Sequence, residues 1–190
     1  MKTMKRIVAL ALCALMTFAC ASALAEDRYE IGICQLLQHP ALDEATRGFR
    51  EALVEKLGDA VTFDEQNASG EAVNCATICT TFASDGVDLI LANATPALQA
   101  AMSATGDIPI LGTSITDYGT ALGTEFTGTT GINVTGTSDL APLDGQAAII
   151  KELFPDAEKV GMLYCSAEPN SLSQITVIKG YLCLLYPSGV

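Results

Sequence analysis

Histidine chemistry is barely supplied in this 190-residue sequence, and its cysteines do not group as ligands or nucleophiles. His39 is the single histidine, so a multi-His metal centre is excluded and Ser-His-Asp catalysis would have to run through His39 alone. Cys75 and Cys79 stand four apart, on one helical face with Ala72, Ala76 and Phe82. With no histidine or further cysteine nearby in sequence, they read as small core residues rather than a metal pair. Cys34 and Cys165 each lie in an apolar run, and together with Cys183 they too read as reduced structural thiols. Non-covalent chemistry is better supplied. Thr95-Pro96 opens a helix whose first N–H groups could hold a carboxylate, and Asp117 or Asp139 could meet an ammonium. Together they would suit a small zwitterion. Each has a plainer use as well, since Thr95 would cap its helix and Asp117 could only shape a turn. His39-Pro40 reads as the end of a loop and the start of a helix. No Gly-Lys-Ser/Thr loop and no GxGxxG follows a strand, so neither a nucleotide site nor a cofactor is expected.

Charge narrows the partners. Acidic residues number 22 against 10 basic ones, a net −12, which argues against nucleic acid because phosphate neutralisation needs clustered Lys and Arg. Lys2, Lys5 and Arg6 precede an apolar run from Ile7 to Phe18, and Ala23-Leu24-Ala25 follows. This is the layout of a secretory signal, with cleavage expected after Ala25. The run is too short to stay as a membrane span. A competing reading lipidates Cys20, for which Thr17-Phe18-Ala19 is a poor lead-in. Either way the chain is expected to be exported, to the periplasm or the cell surface. All 22 acidic residues lie beyond Ala25, making the remainder about −15.

The elements that must position these residues alternate. Tyr29–Gln35, Ala60–Gln66, Asp88–Ala92 and Ile108–Gly112 read as strands, with helices predicted over 41–57, 71–84 and from Thr95 to near Gly106. That order implies an α/β fold with a parallel sheet covered by helices on both faces, a three-layer sandwich. Residues 112–139 lose all periodicity and are rich in Gly and Thr, which reads as a functional or inter-domain loop. A helix is predicted from Leu143 to Phe154, a lone strand at Val160–Cys165, and a helix from Ser171 to Leu185. The lone strand needs neighbours that the remaining residues do not supply. We therefore read 26–139 as a first α/β lobe and 140–190 as the start of a second, incomplete one, the chain being truncated or frame-shifted near its end.

In an open α/β sheet, ligands collect outside the carboxyl ends of the strands. The residues there are Leu36, Leu37, Gln38 and His39; then Asn93, Ala94, Thr95 and Pro96; then Thr113, Ser114, Thr116 and Asp117. Ser166, Glu168 and Asn170 follow the lone strand. The segments IGICQLLQHPALDEATRGFREAL, DLILANATPALQAA, IPILGTSITD, GINVTGTSDL and VGMLYCSAEPNS, in this order, resemble the solute-binding proteins of bacterial ABC importers. The resemblance is to the group that takes up tryptophan and tyrosine, and it covers about Tyr29 to Ile178. It implies a two-lobed fold of the periplasmic-binding-protein type I class that closes on a ligand and delivers it to a membrane permease. It further implies that Gln38 and His39 lie at the cleft edge and that Ala94, Thr95 and Pro96 hold the ligand carboxylate. Thr113, Ser114 and Asp117 would add polar contacts, and Thr137, Ser138 and Asp139 would sit at the crossover between lobes. Tyr164, Ser166, Glu168 and Asn170 would face them from the second lobe.

The leading function is thus non-catalytic binding of an amino acid, expected to be aromatic, for an ABC importer. The runner-up is a cysteine-dependent amino-acid racemase built from two α/β lobes, with Cys34 or Cys165 as its thiols. The export signal and the absence of basic residues near either cysteine speak against it. A third reading makes the chain a fragment of a longer binding protein, without function of its own.

Overall fold

The computed structural model describes residues 28–186. The export segment, its cleavage site and Cys20 lie outside the described residues. Five strands, β1 (Tyr29–Gln35), β2 (Val61–Asn67), β3 (Leu89–Asn93), β4 (Ile110–Ile115) and β5 (Val134–Ser138), form one sheet in the order β2-β1-β3-β4-β5. All pairings are parallel. Six α-helices accompany them among the described residues, α1 (Pro40–Leu57), α2 (Ala72–Asp85), α3 (Thr95–Ala104), α4 (Tyr118–Leu122), α5 (Leu143–Leu153) and α6 (Pro169–Leu185), with one turn of 3-10 helix at Gly58–Ala60.

Local chemistry explains the boundaries. Proline at the first position of α1 has a preset φ and lacks only an N–H that would be orphaned anyway. Gly86 closes α2 in the left-handed conformation, with its N–H on the Phe82 carbonyl. Within the sheet, successive side chains take opposite faces. Ile31, Ile33 and Leu91 pack with Phe49 and Leu53 of α1 on one side. Cys34, Ile90 and Ala92 pack with Phe82 of α2 and Ala97 and Leu98 of α3 on the other. This gives the three-layer α/β sandwich that the alternating pattern implies. Gly32 permits an unusually close approach between layers. A Cβ there would lie 2.7 Å from the Phe82 ring, so only glycine lets α2 sit this near β1.

Three expectations need correction. Residues 112–139 are not structureless, for they contain α4 and the edge strand β5. That strand escapes the pattern because only Val134 in it is buried. Val160–Cys165 has no strand pairing, and Leu163 within it is fully exposed at 101%. Extended backbone becomes a strand only where a neighbour takes up its N–H and C=O groups. The face of α2 also differs from its expected composition. Ile78 joins Cys75, Cys79 and Phe82 in the core, whereas Ala72 and Ala76 are exposed. Late in the chain a separate small core of Ala147, Leu182 and Tyr186 joins α5 to α6, and Leu182 is the one fully buried residue of α6. Leu172, Val177, Tyr181 and Leu184 of that helix are exposed.

Candidate functional site

The strand order has a consequence at its carboxyl edge. From β1 the chain leaves toward β2 through α1 on one face, and from β3 it leaves toward β4 through α3 on the other. The loops after β1 and β3 therefore diverge, and the gap between them is the crevice where open α/β sheets hold ligands. Gln35 and Asn93 end the two strands directly opposite one another. Gln38 and His39 follow the first, and Ala94, Thr95 and Pro96 follow the second.

Beneath this crevice lies a buried polar network. Asn93 Nδ2 donates to the Leu42 carbonyl at 2.8 Å and to Thr46 Oγ1 at 2.9 Å. Thr46 Oγ1 donates to Gln35 Oε1 at 2.7 Å, and Gln35 Nε2 donates to Asp43 Oδ1 at 2.6 Å and to the Leu37 carbonyl at 2.9 Å. Gln35, Thr46 and Asn93 are all buried. The network therefore fastens the first half of α1 to the ends of both diverging strands. His39, which follows β1, is the N-cap of α1, its Nδ1 accepting from the Ala41 N–H at 3.2 Å. Gln35 and Thr46 do not stand among the candidates that the sequence singles out. Their only signal there is a polar residue at the end of an apolar strand and another inside a helix beside its apolar stripe.

The start of α3 is buried and lacks a side-chain cap. Thr95 is not the cap expected of it. The N-cap is Ala94, which has no capping side chain and adopts φ 94°, ψ 157°, a region that side chains rarely enter. Thr95 takes the first helical position and Pro96 the second, so the orphan donors of the first turn are the N–H groups of Thr95 and Ala97. Thr95 is only 1% exposed, yet its Oγ1 has no hydrogen-bond partner. A strained residue, an uncapped helix start and an unmet hydroxyl thus coincide at one point.

On the β4 side, Asn93 pairs in register with Thr113, and the Thr113 carbonyl accepts from the Ala94 N–H at 3.0 Å. Ser114 follows at φ 55°, where the β4–β5 register shifts. Ser138 Oγ donates to the Thr116 carbonyl at 3.0 Å, and the Asp139 N–H donates to the Ile115 carbonyl, which seats both residues beside the β4 loop. Asp117 uses both carboxylate oxygens on α4. Its Oδ1 accepts from the Gly119 N–H and its Oδ2 from the N–H and hydroxyl of Thr120. The Thr120 hydroxyl, then the two backbone N–H groups, hold its carboxyl below the ordinary value against an opposing effect of burial. A lowered folded pKa contributes stability that is present above the unfolded value and lost as pH falls through the folded one. Asp117→Ala should therefore cost about 1 kcal/mol at neutral pH. The difference from the parent should shrink as the medium is made strongly acid, as urea titrations under the two conditions would read.

Tyr164, Ser166, Glu168 and Asn170 form a separate group. Glu168 precedes α6 without a side-chain cap bond, Asn170 Oδ1 is buried and unpartnered, and Tyr164 and Ser166 are exposed. Among the described residues no hydrogen bond joins these four to the crevice. A cleft of about 280 Å³ lies elsewhere, beside β5, lined by Tyr118, Phe126 and the Gly- and Thr-rich segment 128–136. Cys34 is fully buried among apolar side chains, whereas Cys165 and Cys183 are exposed rather than part of a core.

An open parallel sheet with helices on both faces and a polar crevice at its carboxyl edge is a frame for holding small ligands. The chain belongs to the family of ABC transporter substrate binding proteins, which it matches over residues 30–183. It is 42% identical over 154 residues to a tyrosine-binding protein of Clostridioides difficile (strain R20291), covering 80% of this chain and 45% of that protein. Its structure resembles the ABC domain in complex with L-Trp from Streptococcus pneumonia, with TM-score 0.77, 36% identity and coverage of 84% of this chain and 55% of that one. It also resembles the ligand-free, open structure of a substrate binding protein with adhesive properties from Clostridium difficile, with TM-score 0.63 and 40% identity over 80% and 53% of the two chains. The chain thus spans about half the length of the relatives it matches.

Proposed function

We propose that this chain supplies the first lobe and the opening part of the second lobe of an exported solute-binding protein. That protein delivers an amino acid to an ABC importer permease by binding alone, without turnover. The observation that carries this reading is the start of α3, where an uncapped helix N-terminus and the unmet, buried Thr95 hydroxyl lie at the carboxyl edge beside the β1–β3 switch point. Backbone N–H groups there suit a carboxylate. Relatives described as binding tyrosine and L-Trp support an aromatic amino acid as the ligand. Gln38 and His39 would edge the ligand, Ala94, Thr95 and Pro96 would take its carboxylate, and Thr113, Ser114 and Asp117 would add polar contacts. Ser138 and Asp139 would mark the crossover, with Tyr164, Ser166, Glu168 and Asn170 closing from the other side. Residues 1–25 would direct export and be removed.

The test is a thermal melt of the chain from Glu26 onward, alone and with each of the twenty amino acids. A ligand present at a hundred times its dissociation constant stabilises by about 2.7 kcal/mol, a readable shift. A shift with Trp, Tyr or Phe alone is the expected result. No shift with any amino acid, or conversion of one to its enantiomer, would overturn the reading. Thr95→Val sharpens it. Removing an unpartnered buried hydroxyl should leave the unliganded melt unchanged or higher, while affinity falls about tenfold or more through loss of a charge-assisted hydrogen bond. Isothermal titration of both proteins measures this directly.

A further inference from the structure

Three thiols meet in the core. Cys34, Cys75 and Cys79 are each 0% exposed and belong to one cluster between β1 and the face of α2. The register explains the meeting. Gly32 lies under Phe82, and Cys34 is the next residue of β1 on that face, about 6.7 Å further along the strand. The helix runs the opposite way, rising about 1.5 Å per residue, so the matching point falls between Cys79 and Cys75. The close approach allowed by Gly32 brings the helix backbone nearer to Cys34 than an ordinary strand–helix contact would. Cys79 is already engaged, its Sγ donating to the Ala97 carbonyl at 3.9 Å. Among the described residues no three His, Cys, Asp or Glu side chains are grouped to hold a metal ion, so the chemistry left to this cluster is that of thiols.

We propose that Cys34 and Cys75 form an oxidisable pair whose disulfide ties β1 to α2 directly behind the carboxyl-edge crevice. The oxidant is a disulfide of a small thiol or of a thiol oxidoreductase. One cysteine thiolate attacks the external disulfide, forming a mixed disulfide and releasing one thiolate. The second cysteine then attacks the protein sulfur of that mixed disulfide and releases the other. Two thiol protons are lost to solvent and recovered by the two released thiolates, so the external disulfide is reduced as the pair is oxidised. Hydrogen bonding to Cys75 and Cys79, and then burial, push the Cys34 thiol far above its ordinary value. The same hydrogen bond from Cys34 lowers Cys75. Both thiols are fully buried in the folded chain, so the exchange with the external disulfide takes place as the chain folds, before α2 closes on β1.

The experiment refolds the full chain from denaturant in oxidised glutathione, alkylates it, and maps the peptides by mass spectrometry. The expected result is a Cys34–Cys75 crosslink about 2 Da lighter than its two reduced peptides, with Cys165 and Cys183 alkylated or carrying glutathione. The crosslinked chain should keep a single cooperative melt at a higher temperature than the reduced chain. Cys34→Ala should abolish the crosslink, and Cys79→Ala should retain it. The proposal is overturned by Cys34 and Cys75 both alkylating after this treatment, by a crosslink that excludes either of them, or by a crosslinked chain without a cooperative melt.

Discussion

Gly136→Ala should detach the edge strand and lower stability by about 3 kcal/mol or more, a fall in Tm of roughly 10 °C for a chain of this size. Gly136 sits in β5 at φ 154°, and a Cβ there would fall on the Gly112 carbonyl oxygen and the Tyr118 hydroxyl. The Tyr118 hydroxyl can swing aside, but the Gly112 carbonyl cannot, because it is backbone of the paired strand β4. The pairing itself must therefore open. The damage should be confined to the carboxyl edge. Ser138 and Asp139 are seated by bonds to Thr116 and Ile115 that depend on β5 lying against β4. Gly112→Ala provides the contrast. A Cβ at that position meets the Tyr118 hydroxyl at 2.6 Å and an Ile115 side-chain carbon at 2.9 Å, both of which can move. Its penalty should be smaller, about 1–2 kcal/mol. Hydrogen exchange resolves the two cases. In the Gly136 variant the Asp139 N–H should lose protection while the N–H groups of β1 and β3 keep theirs.

Much of the frame around this edge is legible in the sequence because apolar spacing and punctuation agree. Strands β1, β3 and β4 hold apolar runs of the kind a doubly covered parallel sheet requires, and β2 alternates. Pro40, Gly58, Gly86 and Pro96 mark helix ends at or within a residue of where they fall. β5 is hidden by its own composition, since an edge strand with one buried residue carries no alternation to detect. Val160–Cys165 shows the reverse error, for an apolar run signals a strand only if a neighbour exists to pair with it. At the carboxyl edge, the positions that follow each strand can be named, but not the use of each side chain. Thr95 reads as a cap and is not one, because Ala94 takes the N-cap backbone at a φ that composition does not reveal. Asp117 reads equally as a ligand contact or a turn former, and the sequence does not show that both its oxygens accept bonds at the start of α4. The Gln35–Thr46–Asn93 network cannot be read at all, because Asn93 lies 47 and 58 residues from its two partners and meets them only once the sheet has formed.

That network carries the second large effect. Asn93→Leu should destabilise the chain by about 2–4 kcal/mol, since it strips the part-buried Leu42 carbonyl and the buried Thr46 Oγ1 of a donor. Thr46→Val should cost about 1–3 kcal/mol by leaving Gln35 Oε1 and Asn93 Nδ2 short of one partner each. The double variant should be less damaging than the sum by about 1 kcal/mol or more, because the first substitution has already broken the bond that the second would remove. Urea unfolding of all four proteins gives the coupling energy. Strict additivity would mean that Asn93 and Thr46 act independently and that their bond does not join α1 to the end of β3. Coupling has a consequence for ligand binding too. Asn93 immediately precedes Ala94 and Thr95, and Gln35 lies just before the loop bearing Gln38 and His39, so the network fixes the spacing between the two sides of the crevice. If the proposed function holds, a chain that remains folded with Thr46→Val should lose affinity for its amino acid even though Thr46 is buried on α1. A weakened α1 anchor lets the two loops drift relative to one another, and a site held by several weak polar contacts is sensitive to such drift.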